Sequence, residues 1–98
     1  MKHPIQDLNK AFDNRVRLGV MAVLLANESA SFNELKETLA LTDGNLASHV
    51  AALEKAGYVA VTKQFVGRKP STTYAVTAAG RIAFQEHLAA LERLLKGN

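Results

Sequence analysis

Residues 42 to 59, reading TDGNLASHVAALEKAGYV, constrain this chain more than any other stretch. Thr42 has the side chain of a helix N-cap. Leu46, Val50 and Leu53 follow at spacings of four and three, which places them on one narrow helical stripe. The helix is expected over 43–56, with Gly57 as its stop. Tyr58 and Val59 then open a strand. The opposite face of that helix carries Asp43, Gly44, Asn45, Ala47, Ser48 and Ala51. A helix that only faces water is usually clothed in long, paired charges. These side chains are short, so another surface can approach the helix closely.

The flanking segments supply a frame for it. Ile5, Leu8 and Phe12 form a helical stripe over 5–12, and Asp13-Asn14 interrupts it and caps the next segment. From Arg15 to Ala26 the residues Val16, Leu18, Val20, Met21, Val23, Leu24 and Leu25 are apolar almost all round, which predicts a central helix. Gly19 inside it implies close approach of another backbone. Residues 27–30 read as a loop. Ser31 and Glu34 have the spacing of a capping box, opening a short helix with Leu35 and Leu39 inward. Leu41-Thr42 makes a tight connection to the next helix.

Residues 58–66 are rich in β-branched and aromatic types, 67–71 read as a turn or loop, and 72–76 as the returning strand. Thr77 caps a last helix running to about Lys96, with Phe84, Leu88, Leu91 and Leu95 in an a/d-like seam. The expected fold is mainly α with a small β-hairpin: a three-helix core, a two-stranded wing and a C-terminal helix. This is the layout of a winged helix-turn-helix, in one domain spanning 1–98.

Composition narrows the chemistry. The chain has no cysteine, which excludes disulfides, thiol catalysis and zinc-thiolate sites. His3, His49 and His87 are far apart and have no ligand spacing, so no metal and no cofactor is expected. No glycine-rich phosphate loop and no nucleophile–base pair is evident, so no enzymatic activity is expected. Ser48 and His49 are neighbours on a helix and point to different sides. The longest apolar run, Val20 to Ala26, is too short to span a membrane, and no secretory leader is visible, so a cytoplasmic protein is expected. Twelve basic residues against nine acidic give a net charge of +3, a mild preference for anionic partners.

Placement of residues says more than their sum. With Leu46, Val50 and Leu53 inward, the first turns of helix 43–56 suit the major groove of double-stranded DNA. Asn45 can pair with adenine, Ser48 with a base or phosphate, and Ala47 and Ala51 can touch a thymine methyl. The amides of residues 43–45 can hold a phosphate oxygen. Thr42, Asp43 and Gly44 complete this end, Asp43 facing a cytosine or simply capping. His49 borders the apolar stripe and fits a partly buried histidine bonded to backbone or phosphate. The wing, 66–72, adds Arg68 and Lys69 at its turn and Lys63 before it, placed for phosphates or a narrow minor groove. Lysine and proline at such a place also guard an open sheet edge. Lys36, Ser31 and Lys55 are further candidates for backbone contacts. The terminal helices, 5–12 and 77–96, offer Ile5, Leu8, Phe12, Phe84, Leu88, Leu91 and Leu95 as a homodimer interface.

The strings Phe32-Asn33-Glu34-Leu35-Lys36, Leu46 to Val50, Leu53 to Val59 and Phe65 to Gly80 together resemble the MarR/ArsR-type winged-helix transcriptional regulators, nearest to their small stand-alone members. The resemblance covers nearly the whole chain. It implies a homodimer bound to operator DNA, usually as a repressor, with base-reading positions at Asp43, Gly44, Asn45, Ala47 and Ser48 and wing contacts from Arg68 and Lys69. The chain departs from the family in three ways. It lacks the cysteine pairs of the metal sensors, it lacks the extra helices around a ligand cleft, and Ala47 stands where many relatives carry serine. A small-molecule effector is therefore not identifiable. A winged-helix protein-interaction module and a nonspecific architectural DNA-binding protein remain as alternatives.

Overall fold

The computed structural model describes residues 3–97. Two 3₁₀ turns, Pro4–Asp7 and Lys10–Phe12, lead into α1 (Arg15–Ala26), β1 (Ala30–Ser31), α2 (Phe32–Leu39), α3 (Asp43–Lys55), β2 (Val59–Val66), β3 (Lys69–Val76) and α4 (Ala78–Leu95). The sheet is antiparallel with order β1-β3-β2. It is the winged-helix arrangement expected, with one strand more than the hairpin alone. Ala30 and Ser31, expected to lie at a loop's end, pair with Tyr74 and Thr73. Two residues are too few to carry a strand pattern in sequence.

The core gathers Phe12, Val20, Met21, Leu24, Leu35, Leu46 and Leu53, all essentially without solvent contact. Helix α1 lies among α2, α3, β3 and the second 3₁₀ turn, which is why it is apolar on several sides. Gly19 is matched by the side chain of Leu39, 3.0 Å from where a Cβ would stand, and not by the backbone expected. The close backbone approach is at Gly80, where a Cβ would collide with the carbonyl of Tyr58.

Both helices that precede a turn in the centre of the chain end in the same way. At the end of α2 the amide of Leu41 donates to the carbonyl of Lys36, and that of Ala40 to Glu37. At the end of α3 the amide of Tyr58 donates to Leu53, and that of Gly57 to Glu54. This is a Schellman closure, which needs a left-handed residue. Gly57 supplies it with φ +85°, whereas α2 uses Ala40 at φ 54°. Ala40 carries no sequence signal for that role.

The N-terminal segment differs from its expected form. Residues 5–12 form two short 3₁₀ turns and not one helix. Asn9 explains the break: it caps the next turn by accepting from Ala11 N–H at 2.9 Å. Asn9 also ties the segment down. Its backbone N–H donates to Nδ1 of His87 at 3.0 Å, and its side-chain amide donates to the Tyr58 hydroxyl at 3.0 Å.

Candidate nucleic-acid interface

Helix α3 is fixed at its start by Thr42, whose hydroxyl accepts from the backbone N–H of Asn45 at 3.2 Å. Leu46, Val50 and Leu53 are buried, as their spacing requires. Asp43, Gly44, Asn45, Ala47, Ser48 and Ala51 are all exposed on the other side. A Cβ at Gly44 would meet no atom of the protein within 4 Å. Glycine in a helix costs about 1 kcal/mol relative to alanine, and the surrounding fold does not ask for it.

Three details of this end differ from expectation. The Asn45 amide is taken by Thr42, so the free anion site expected at residues 43–45 is narrowed to the first two. Asp43 is engaged by Lys36 at 2.9 Å, which joins the ends of α2 and α3. The hydrogen bond to Asp43, and its charge, raise the Lys36 ammonium above the usual lysine range. That pair offsets the repulsion an isolated carboxylate would exert on phosphate. His49 is half-buried and its Nδ1 accepts from Nε of Arg17 at 3.0 Å. It therefore ties α3 to α1 and positions Arg17, a cation that the sequence pattern did not single out.

The capping box of α2 forms in full. Glu34 N–H donates to the Ser31 hydroxyl at 3.0 Å, and the Ser31 backbone N–H donates to the Glu34 carboxylate at 2.9 Å. The second bond holds the Glu34 carboxyl below the usual carboxylate range. Ser31 is thus committed to holding α2.

The wing is tighter than expected. Its turn is two residues, Gly67-Arg68, and β3 begins at Lys69, so Lys69 and Pro70 lie on a strand and not in a loop. Gly67 at φ +67° permits a two-residue hairpin of the kind that matches strand twist. Val66 pairs with Lys69, Phe65 with Pro70 and Lys63 with Thr72. Two strand positions from the turn, proline can sit where its missing N–H faces away from the partner strand. Lys63, Arg68 and Lys69 are exposed, and none has an ion-pair partner among the described residues. No Asp or Glu occurs anywhere between residues 59 and 76. The wing is therefore a narrow projection whose charges are all positive, rising from a strand that packs on α3.

The wing's base is pinned by α4. Thr77 caps α4 by accepting from Gly80 N–H at 2.9 Å, and its hydroxyl donates to the Gly57 carbonyl at 2.7 Å. The Thr77 amide donates to the Tyr58 carbonyl at 3.0 Å. One threonine joins the end of α3, the start of β2 and the start of α4.

The terminal apolar residues divide into two groups. Phe12 and Phe84, expected at a subunit interface, belong to the protomer core. Their rings meet edge to face with centroids 5.1 Å apart, and Phe12 also packs on Tyr58 and His87. The inward stripe of α4 is Gly80, Phe84, His87 and Ala90, because the N-terminal segment docks there. Burial pushes the His87 imidazole below the usual histidine range. Ile5, Leu88 and Leu95 are exposed, and Leu8 and Leu91 half-buried. Ile5, Leu8, Leu18 and Leu91 line an open groove of about 620 Å³ with His87 at its wall. Among the described residues no helix is long and apolar enough to cross a membrane.

Known proteins share this architecture. The family model for a winged helix DNA-binding domain matches residues 16–95. An uncharacterised protein of Methanocaldococcus jannaschii is 38% identical over 87 residues, covering 89% of this chain and 95% of that one. A solved transcriptional regulator homologue from Pyrococcus horikoshii superposes with a TM-score of 0.87 at 32% identity, over 98% of this chain and 97% of its own. A regulator of the MarR family from Enterococcus faecalis has a TM-score of 0.73 at 22% identity, over 89% of this chain and 77% of its own, a likeness of fold.

Proposed function

The chain belongs to the winged-helix DNA-binding family of transcriptional regulators, and we propose that it is a cytoplasmic, sequence-specific homodimeric repressor of a palindromic operator. The observation that carries this reading is the pairing of two surfaces. The outer face of α3 is short and polar with an unneeded glycine, and the wing beside it is cationic with no acid.

In this reading α3 enters the major groove by its first turns. Asn45 reads adenine through its amide, Ser48 reaches a base or phosphate, and Ala47 and Ala51 lie against thymine methyl groups. Gly44 lets the backbone come close. Thr42 holds the helix start, and Asp43 acts through its pair with Lys36. Arg68, Lys69 and Lys63 take phosphates or the adjacent minor groove. His49 contributes by fixing α3 on α1. The domain 1–98 also carries its own dimer face, formed by Ile5, Leu8, Leu88, Leu91 and Leu95, with Phe12 and Phe84 supporting it from the core. A two-fold dimer presents two α3 helices to half-sites about 34–36 Å apart.

The test is selection of duplexes from a randomised library, followed by anisotropy titration of the enriched duplex and a scrambled one at several salt concentrations. Preference for the enriched duplex, with affinity falling steeply with salt, is expected. Equal binding of both would mean an architectural DNA-binding protein. No binding at low salt would mean a protein-interaction module.

A further inference from the structure

The wing holds two side chains that phosphate and base contacts leave unused. Phe65 is 74% exposed and Val66 65% exposed, and they are the last two residues of β2 before the turn. By strand alternation Phe65 shares a face with Val59 and Val61. Val59 is buried and Val61 half-buried, but Phe65 lies past the end of the core. The protein's own aromatic pairs, among the described residues, do not include it. Lys63, on the same face, separates Phe65 from that apolar base, so the ring stands alone at the tip and open to solvent.

The surroundings select the partner. Phe65 and Val66 stand between Lys63 on one side and Arg68 and Lys69 on the other, and the hairpin has no acidic residue. An apolar tip ringed only by cations is complementary to a surface that is anionic outside and aromatic inside. Duplex DNA is such a surface: phosphates line the groove and base pairs fill it. Apolar side chains carried into the minor groove open a base step and kink the duplex. The opposite-strand partner of Phe65 is Pro70.

We propose that Phe65 is an apolar wedge that Arg68 and Lys69 bring to the minor groove beside the half-site, where it partly unstacks a base step. The inference rests on the DNA-binding reading above and adds to it a source of selectivity that uses no hydrogen bond. Pyrimidine–purine steps unstack most easily, so the wedge favours operators with such a step where the wing lands.

The test uses the operator duplex enriched by the wild-type protein. Phe65→Ala is expected to weaken binding about tenfold or more, to leave the salt slope unchanged because no phosphate contact is lost, and to reduce the bend seen by circular-permutation electrophoresis. The chain has no tryptophan, so Phe65→Trp places a single fluorophore at the tip. Its emission is expected to be quenched by the operator. Wild-type affinity and bend in Phe65→Ala would overturn the wedge and leave the regulator reading standing. A change of sedimentation in Phe65→Ala, with no change in bend, would overturn it in favour of contact with a second copy. If the wild-type protein enriches no duplex, both readings fall.

Discussion

Helix α3 and the wing are neighbours in sequence and differ in how they are held. Helix α3 is capped by Thr42, closed by Gly57, buried along Leu46, Val50 and Leu53, and tied to α1 through His49 and Arg17. The wing is anchored at its base, by Thr77 and Gly80 against Gly57 and Tyr58 and by the pairing of Thr73 and Tyr74 with β1. Beyond Val61 on β2 every residue is exposed, to the end of the strand. A rigid element can present hydrogen-bonding groups in register with base edges, because their geometry is set before contact. A tip held by a strand ladder can adapt to the groove it meets. The two parts therefore suit different work, reading on α3 and reach on the wing.

The largest expected effect breaks the base that the two share. Gly80→Ala drives a methyl group into the Tyr58 carbonyl. The loss should be about 3 kcal/mol of unfolding free energy, read by urea denaturation. The wing should lose its fixed direction with it, so affinity for DNA falls even in the folded fraction. A change of less than about 0.5 kcal/mol would show that the junction yields and that the wing is not set by it.

Substitutions on the two surfaces then separate their roles. Asn45→Ala is expected to cost about 1–3 kcal/mol of discrimination at one base pair with little change in salt slope. Arg68→Ala is expected to weaken all duplexes alike and to lower the salt slope by about 1. Anisotropy titrations on matched and single-substituted operators read both. If the two variants behave alike, the division between reader and reach is wrong.

How much of this was open to sequence reading depends on whether the signal is local. The stripe of α3, the capping box at Ser31 and Glu34, and the stop at Gly57 are all properties of short stretches, and each forms as its residues dictate. The inward face of α4 was not legible in the same way. The Leu-rich seam of Phe84, Leu88, Leu91 and Leu95 was assigned to a subunit interface, and of these only Phe84 lies on the stripe buried within the protomer, Gly80, Phe84, His87 and Ala90. Asn9 decides this by bonding His87 and Tyr58, contacts spanning 78 and 49 positions. Phe12 was assigned to a second subunit for the same reason, since nothing near it in sequence reveals Tyr58, Phe84 and His87 as its neighbours. The exposed Phe65 is the converse case: in sequence it looked like any strand residue, and only the length of the hairpin past the core leaves it bare.

The His87 latch offers a pH test of that long-range contact. Burial lowers the imidazole from its ordinary 6.5, with the Asp13 carboxylate opposing the shift. The unfolded chain then binds the proton more readily, so this group's contribution is complete above about pH 6.5 and is lost as pH falls toward the lowered value. Protonation also removes the lone pair that accepts from Asn9. Thermal unfolding is expected to shift to lower temperature as pH drops below 6.5, and less so in His87→Gln. An identical pH profile in both proteins would remove His87 from the account.

The smallest effect concerns the turn that delivers α3. Ala40 holds a left-handed conformation that glycine adopts without strain. Ala40→Gly is expected to raise stability by about 0.5–1 kcal/mol in denaturant unfolding, with DNA selectivity unchanged. A loss of stability would mean that the turn is not strained.

The most direct measurement is a hydroxyl-radical and methylation-interference footprint on the enriched operator. Two symmetric half-sites are expected on one face of the duplex, each with a major-groove contact from α3 and a flanking minor-groove contact from the wing, their centres about one helical turn apart. Continuous protection without symmetry or base preference would contradict a two-fold, sequence-reading dimer.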